Sequence, residues 1–534
     1  MKRALALLVP ITLSTTVPYM VNGAVGHASL TSHYLRLWSG QGETGALKQV
    51  TVPEHEKCED ITSFQSLSAR NDSPLFRANL YTTAGCAGAP VTTVNPETVL
   101  NFSSTTVKSV KFVEEVHVVS MGDSYISGEG GRWMGNAWGA SNQIGSTIFR
   151  PKAADNRVTD RTWMGLSIDQ IYLDNSWTYT DGSTKRPGCH RSDVAEVFGA
   201  QTTTVKNTAG TSIIPAVKNI ACSGAAIKDL RDSSATFKGE IAQVKQLRKL
   251  VNTEHKKVKY VVLSIGGNDL NLSELLEVCA RSLAGDSSIS CRSKAAEYAS
   301  DQKIAALEIP LKSLISEIST ILPSSARIIM QGYPSPFPRA GLVDGQYVVP
   351  DLRAGSEHID PRLYKYGCPL KNEGFYAFDD INTRLNRKLN EWAKDASGTF
   401  WPPGRKRAFL RLGSLFNGHE VCSNKTNLSK NGLPHIIAPT GRDFLGGWGE
   451  HEWVRYVNNA VFPSVADLEK ENLKQESVHP NFYGQLALGR CLSGAIDILE
   501  QSANSDLLYS AVDCEGEARK KPGQITVTKV TLPR

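Results

Sequence analysis

The sequence predicts an α/β fold with a parallel sheet, preceded by a small all-β domain. Three observations predict it. Apolar, β-branched runs at 116–121, 217–221, 258–265, 327–330 and 408–412 alternate with stretches of helical period, the pattern of neighbouring strands with helices over both faces. The run 258–265, "VKYVVLSI", is apolar almost without a break, as a strand covered on both sides requires. Residues 29–114 differ. They carry short alternating stretches such as "HYLRLWSG" and "FRANLYTT", separated by Gly, Pro, Asn and Ser, with no helical period, and so read as a separate β domain.

The elements follow in order. "MKR" is a short positive start, and the apolar stretch after it is broken by Pro10, Ser14, Thr15, Thr16 and Pro18 before the small residues Gly26 and Ala28. Residues 1–28 therefore read as a secretory signal peptide and not as a membrane span. No later segment is long and apolar enough to cross a bilayer, so the sequence predicts a secreted protein. The β domain occupies 29–114 and the α/β domain 115–515. Helices are expected at 240–251, at 294–321 with an interruption at Pro310, at 378–394, and after Pro480, where Leu488, Leu492, Ile496 and Leu499 recur at helical spacing. Segments 129–187 and 334–375 are irregular, rich in Gly with Trp and Asn or with Pro, and read as insertions walling a cleft. The tail 516–534 is charged at "EARKKPG" and strand-like at "QITVTKVTL"; it is left unassigned.

At 534 residues the length suits two or three domains, and 40% hydrophobic with 21% charged residues is ordinary for a chain with a full core. The formal charge of +6 is spread along the chain, which gives no case for nucleic acid. Lys245, Arg248, Lys249, Lys256 and Lys257 read as the solvated face of a helix and its exit. The ten cysteines, an even number, fit disulfides in an oxidising compartment. No Cys-x-x-Cys or His-x-x-x-His pair favours zinc. Pairing of near neighbours is the expectation: Cys58 with Cys86, Cys189 with Cys222, Cys279 with Cys291, Cys368 with Cys422 and Cys491 with Cys514. Spacing alone leaves other connectivities open.

Four short segments carry the chemistry. Gly122-Asp123-Ser124 follows the first strand, "ACSGA" puts Gly224 after the second, "SIGGNDL" puts Gly267 and Asn268 after the third, and "ESVHPNFYG" puts His479 and Pro480 at the entrance to the last helix. Each is weak alone, since Gly, Asp and Ser are ordinary turn residues. Three at the carboxyl ends of strands, where α/β sheets place their sites, and a histidine at a helix start together suit one reaction.

These segments resemble the four blocks of the SGNH, or GDSL-like, hydrolase family over residues 115–500. "GCHRS", "GYPSPFP" and "FNGHEVCS" are similar to that family's secreted actinomycete lipases and esterases. The resemblance implies a three-layer flavodoxin-like fold with a five-stranded parallel sheet. It also implies three disulfides matching Cys189 with Cys222, Cys279 with Cys291 and Cys368 with Cys422. In the β domain, "SARNDS", "LYTTAGCAGAP" and "VKSVKFV" resemble a βγ-crystallin-like fold, which implies a binding or stabilising module.

The implied chemistry suits these residue types. A serine hydroxyl needs a base to take its proton, and His479 is the candidate. A helix beginning at Pro480 would keep its imidazole neutral and able to accept. The backbone N–H groups of Ser124 and Gly224 and the Asn268 amide are the implied oxyanion donors, with glycine at 224 leaving the oxyanion room. The family places an aspartate three residues before the histidine, whereas this chain has Glu476 there. Either Glu476 or a backbone carbonyl from Ser477 or a neighbour orients the ring. Asp123 and Asp269 read as turn-bonding groups, and His190, His419 and His435 as structural. Trp133, Trp138, Trp163 and Trp177 line a pocket or cover the core.

The function these observations predict is a secreted, monomeric serine ester hydrolase, a lipase or esterase acting on small-molecule or lipid esters with no metal or organic cofactor. The alternatives are a carbohydrate O-deacetylase or phospholipase of the same fold, and a catalytically inactive binding protein.

Overall fold

In the computed structural model the described residues are 33–52, 56–73, 76–131, 133–138, 151–153, 177–178, 184–185, 189–192, 194–234, 236–283, 290–352, 370–395, 397–426, 453–454, 478–501, 506–518 and 520–530. The expected signal peptide and residues Trp163, Cys368, His435, Glu476 and Ser477 lie outside them. The chain divides into two units, Met1–Val113 and Glu114–Arg534.

Alternation builds the first unit. Strands β1 (His33–Trp38), β2 (Leu47–Val52), β3 (Cys58–Asn71), β4 (Phe76–Tyr81), β5 (Thr92–Val94) and β6 (Val99–Glu114) form one sheet in the order β2-β1-β3-β6-β4-β5. Residues two apart face the same side of a strand. Leu35 and Leu37, Val50 and Val52, and Ala78 and Leu80 therefore meet over one core with Val107, Val110 and Phe112. Asn71 is buried among them with its amide donating to the Phe76 and Val94 carbonyls, as a buried polar group must. The Cys58–Cys86 disulfide closes this unit.

The second unit is built on a sheet of seven strands: β7 (Val116–Gly122), β8 (Ala216–Asn219), β9 (Lys257–Ser264), β10 (Arg327–Gln331), β11 (Lys406–Arg411), β12 (Tyr509–Glu515) and β13 (Thr526–Lys529), in the order β8-β7-β9-β10-β11-β12-β13. The first six run parallel and β13 returns antiparallel. Every residue of β7 and β10 is buried, which is why their sequences are mostly apolar, with His117, Ser120, Arg327 and Gln331 as buried polar exceptions. The five-stranded parallel sheet expected from sequence is thus extended by two strands. β12, "YSAVDCE", escaped notice because it ends in charge, and β13, strand-like in sequence, could not be assigned to the sheet because it is a mostly exposed edge of polar β-branched residues. The unassigned tail supplies β13.

The helices correct two further expectations. Residues 294–321 form α-helices at Asp301–Ala306 and Glu308–Ile321, with Cys291–Tyr298 before them. The breaks fall near Ser300, whose hydroxyl accepts from Lys303 N, and at Leu307, not at Pro310. Pro310 lies in the first turn of Glu308–Ile321, where a helix has no partner for the missing N–H. The last helix, Phe482–Glu500, starts after Pro480, because Asn481 is its cap and accepts from Tyr483 N and Gly484 N at 3.0 and 3.1 Å.

Disulfides Cys189–Cys222, Cys279–Cys291 and Cys491–Cys514 tie this unit. Each constrains the unfolded chain by about 2–4 kcal/mol. Cys422 is also disulfide-bonded. No helix among the described residues is long and apolar enough to cross a membrane.

Candidate active site

The turn after β7 is held from below. Gly122 ends the strand at φ +137°, and a Cβ there would lie 1.8 Å from the Ser264 carbonyl oxygen. The Gln243 side chain brackets it, accepting from Gly122 N and donating to Gly122 O at 2.8 Å each. Asp123 N donates to Ser264 O at 3.0 Å. Ser124 then opens a single helical turn, Ser124–Ser127, capped by Asp123, whose carboxylate accepts from Tyr125 N at 3.1 Å. Gly122→Ala combines a disfavoured φ with a backbone clash. It is expected to lower the thermal midpoint by about 10 °C or to leave no folded protein; a melt within about 2 °C of wild type would disprove this turn geometry.

Tyr333 ties this turn to its neighbour. Its hydroxyl donates to the second Asp123 oxygen and accepts from Gly267 N at 3.1 Å. Burial pushes Asp123 up to about 7, against the donated bonds of Tyr333 and Tyr125 that favour the anion. Asp269 bonds to Ile227 N through both oxygens, at 3.2 and 3.1 Å, and is raised to about 6, again chiefly by burial. Both aspartates therefore join loops.

His479 meets Ser124 at this turn. Its Nε2 lies 2.7 Å from Ser124 Oγ, across 355 positions of sequence, and both residues are buried. Val478, at φ +59°, bends the chain just before it, and Pro480 pairs with Val454 just after. The Tyr125 hydroxyl donates to Val478 O at 2.9 Å, and its ring lies 5.1 Å from the imidazole. Tyr125 thus holds the loop of the base from beside the serine.

The residues expected as oxyanion donors lie at the adjacent strand ends. Beyond β8, Cys222 N donates to Gly122 O at 3.0 Å, which continues the sheet pairing and brings Gly224 beside the serine. Gly224 has φ +79°, and a Cβ there would meet nothing closer than Lys238 Nζ at 3.4 Å. The positive φ by itself favours glycine here, and the space a Cβ would take is open. Beyond β9, Asn268 donates from Nδ2 to Ala225 O at 3.0 Å. An amide nitrogen carries two N–H groups, so one holds the oxyanion loop and one remains. Ser124 N is the first helical N–H, which has no partner within its helix.

Ser124, Gly224, Asn268 and His479 line one cavity of about 500 Å³. Leu272, Leu276, Pro336, Phe337, Phe378 and Ile381 are the apolar part of its lining, and Lys238, Ser273, Glu274 and Glu277 are polar members of it. Of the structural histidines, His419 stacks on Trp453 with ring centroids 3.6 Å apart and bonds the Glu517 carbonyl. Trp133, Trp138 and Trp177 fall in short strands. Tyr125, Tyr333, Gln243 and Glu129 are not singled out by sequence reasoning. Only Tyr125 carried a signal, its place beside the serine, since the others reach the site through tertiary contacts.

No protein-family model matches the chain, and no curated protein matches it. Among solved structures, it is similar to a family two carbohydrate esterase from Clostridium thermocellum in complex with cellohexaose, with TM-score 0.24 and 10% identity over 72% of this chain and 80% of that one. A carbohydrate acetylesterase from Xanthomonas citri gives TM-score 0.21 and 9% identity over 65% of this chain and 64% of that one. Likenesses of this size carry no weight for fold or chemistry.

Proposed function

We propose that this chain is a serine ester hydrolase of the SGNH type. The observation that carries the reading is the 2.7 Å contact of Ser124 Oγ with His479 Nε2, inside a cavity that Gly224 and Asn268 also line. The strand order of the first five strands, 2-1-3-4-5 in chain order, supports the flavodoxin-like layout. In this reading His479 takes the proton as Ser124 attacks an ester carbonyl. The N–H groups of Ser124 and Gly224 and the Asn268 amide stabilise the oxyanion. The alcohol leaves with the proton from His479, and water, activated by the same ring, releases the acid.

The apolar part of the lining is the acyl wall, and the alcohol meets its polar members. Each methylene buried against the wall contributes about 0.8 kcal/mol, roughly fourfold in kcat/KM while the chain still finds wall. Short to medium acyl esters are therefore the proposed substrates. The disulfides and the leader-like first 28 residues support secretion. The first unit, with its own core and disulfide, serves as a stabilising or binding module.

A fluorophosphonate probe is expected to label the wild type and not Ser124→Ala. Across nitrophenyl esters from acetyl to decanoyl, kcat/KM is expected to rise and then level. Unlabelled, folded wild type would favour a binding protein. Activity confined to an acetylated sugar or to a phospholipid, run beside the panel, would assign the cavity to those esters instead.

A further inference from the structure

Beside the Gly224 turn, lining the same cavity, lies a buried carboxylate that the reaction above does not use. Glu129 and His190 are each 1% exposed. His190 Nδ1 lies 2.8 Å from Glu129 Oε1, and the Ser223 hydroxyl donates to Glu129 Oε2. Ser223 is the residue before Gly224. Its N–H donates to the Cys189 carbonyl at 3.0 Å, and the Cys189–Cys222 disulfide joins the same two segments. Ala225 N also donates to the Cys222 carbonyl at 3.1 Å, so one short turn is held by a covalent bond, two backbone bonds and a bond to a carboxylate.

The carboxylate is an anion. Burial alone would raise Glu129, but the charge and hydrogen bond of His190, with smaller help from His479 and Ser223, hold it down at about 2. A buried carboxylate–imidazole pair contributes little net stability compared with apolar packing, and the disulfide already staples these segments. What the pair adds is orientation. Gly224, at φ +79°, has no side chain to fix its peptide plane, and a rotation of a few tens of degrees weakens an N–H···O bond steeply. A donor aimed at an oxyanion is effective only when it is fixed in advance.

We propose that Glu129, paired with His190, is a positioning residue that aims the Gly224 amide at the oxyanion through the Ser223 hydroxyl. This rests on the reading of Gly224 as an oxyanion donor. The clamp acts on the transition state and not on the bound ester, so its loss lowers kcat and leaves KM alone.

The test uses the full chain with nitrophenyl butyrate, and a trifluoromethyl ketone of matching length as a mimic of the tetrahedral state. Ser223→Ala is expected to lower kcat about 10- to 100-fold, less than removal of a donor outright. KM should stay within about twofold, and the ketone inhibition constant should rise by the same factor as kcat falls. Glu129→Gln should match or exceed this loss, and the double variant should be no worse than the worse single one, because both act through one contact. Wild-type kcat in Ser223→Ala overturns the clamp, whether or not Glu129→Gln folds, and so does a loss confined to KM. Wild type labelled by fluorophosphonate with both variants unaffected defeats this inference alone; unlabelled wild type defeats the ester-hydrolase reading and the clamp together.

Discussion

Replacing His479 with alanine is expected to lower kcat by on the order of 10⁶-fold, with KM within about threefold of wild type. The size follows from what the ring does. Its Nε2 is in hydrogen-bond contact with Ser124 Oγ at 2.7 Å, and a serine without a base is a poor nucleophile. Asp123 is no substitute, although it adjoins the serine and is raised to about 7, because its oxygens already accept from Tyr125 N and the Tyr333 hydroxyl. The double variant Ser124→Ala/His479→Ala should be no slower than either single one, since the pair acts as a unit. A loss below about a hundredfold would be smaller than one general base's assistance, and would mean that another group deprotonates the serine. Glu476→Gln belongs in the same series. If a backbone carbonyl orients the ring, that variant keeps nearly full kcat; if the carboxylate does, it loses several orders of magnitude, as a triad acid does.

The sheet was legible where physics leaves a one-dimensional trace. Strands β7, β9 and β10 are covered on both faces, so burial wrote itself as apolar runs. The four chemical segments stood out because a turn at a strand end tolerates few residue types. Strand β13 read as strand-like but could not be placed, because an exposed edge imposes no apolar pattern that ties it to the sheet. The helix start at Asn481 was misread in favour of Pro480, since both residues favour helix N-termini and only the side-chain bonds to Tyr483 N and Gly484 N separate them. The supporting residues were harder still. Tyr333 joins the Asp123 and Gly267 turns from 210 positions away along the chain. Gln243 brackets Gly122 across 121, and Glu129 finds His190 across 61. Each is a common residue in an unexceptional local context, and only folding gives it a partner.

Stability is expected to fall as pH rises from about 5 to 8, by several kcal/mol, since each unit of pKa shift is worth about 1.4 kcal/mol. Four buried carboxyls are responsible. Asp123, Glu196 and Glu420 are raised to about 7 and Asp269 to about 6, each chiefly by burial. Below about pH 4 these groups are protonated in folded and unfolded chains alike. Between about 4 and 7 the unfolded chain has released its protons while the folded chain still holds them, so rising pH favours unfolding. Glu129 works the other way. Held at about 2, it stabilises the fold above its unfolded value and loses that contribution as pH falls toward 2, so maximum stability should lie near or just below about pH 4. Glu196 is the informative probe because it lies outside the nucleophile turn. One of its oxygens accepts from Gln331 Nε2 at 3.0 Å, and the other is buried with no hydrogen-bond partner among the described residues, a poor place for an anion. Wild type should melt roughly 10 °C higher at pH 5 than at pH 8, at a few degrees per kcal/mol. Glu196→Gln should raise the midpoint at pH 8 and change it little at pH 5. A wild-type midpoint that climbs steadily from pH 5 to 8 would mean these carboxyls ionise freely in the folded protein, with water reaching the positions where the fold buries them.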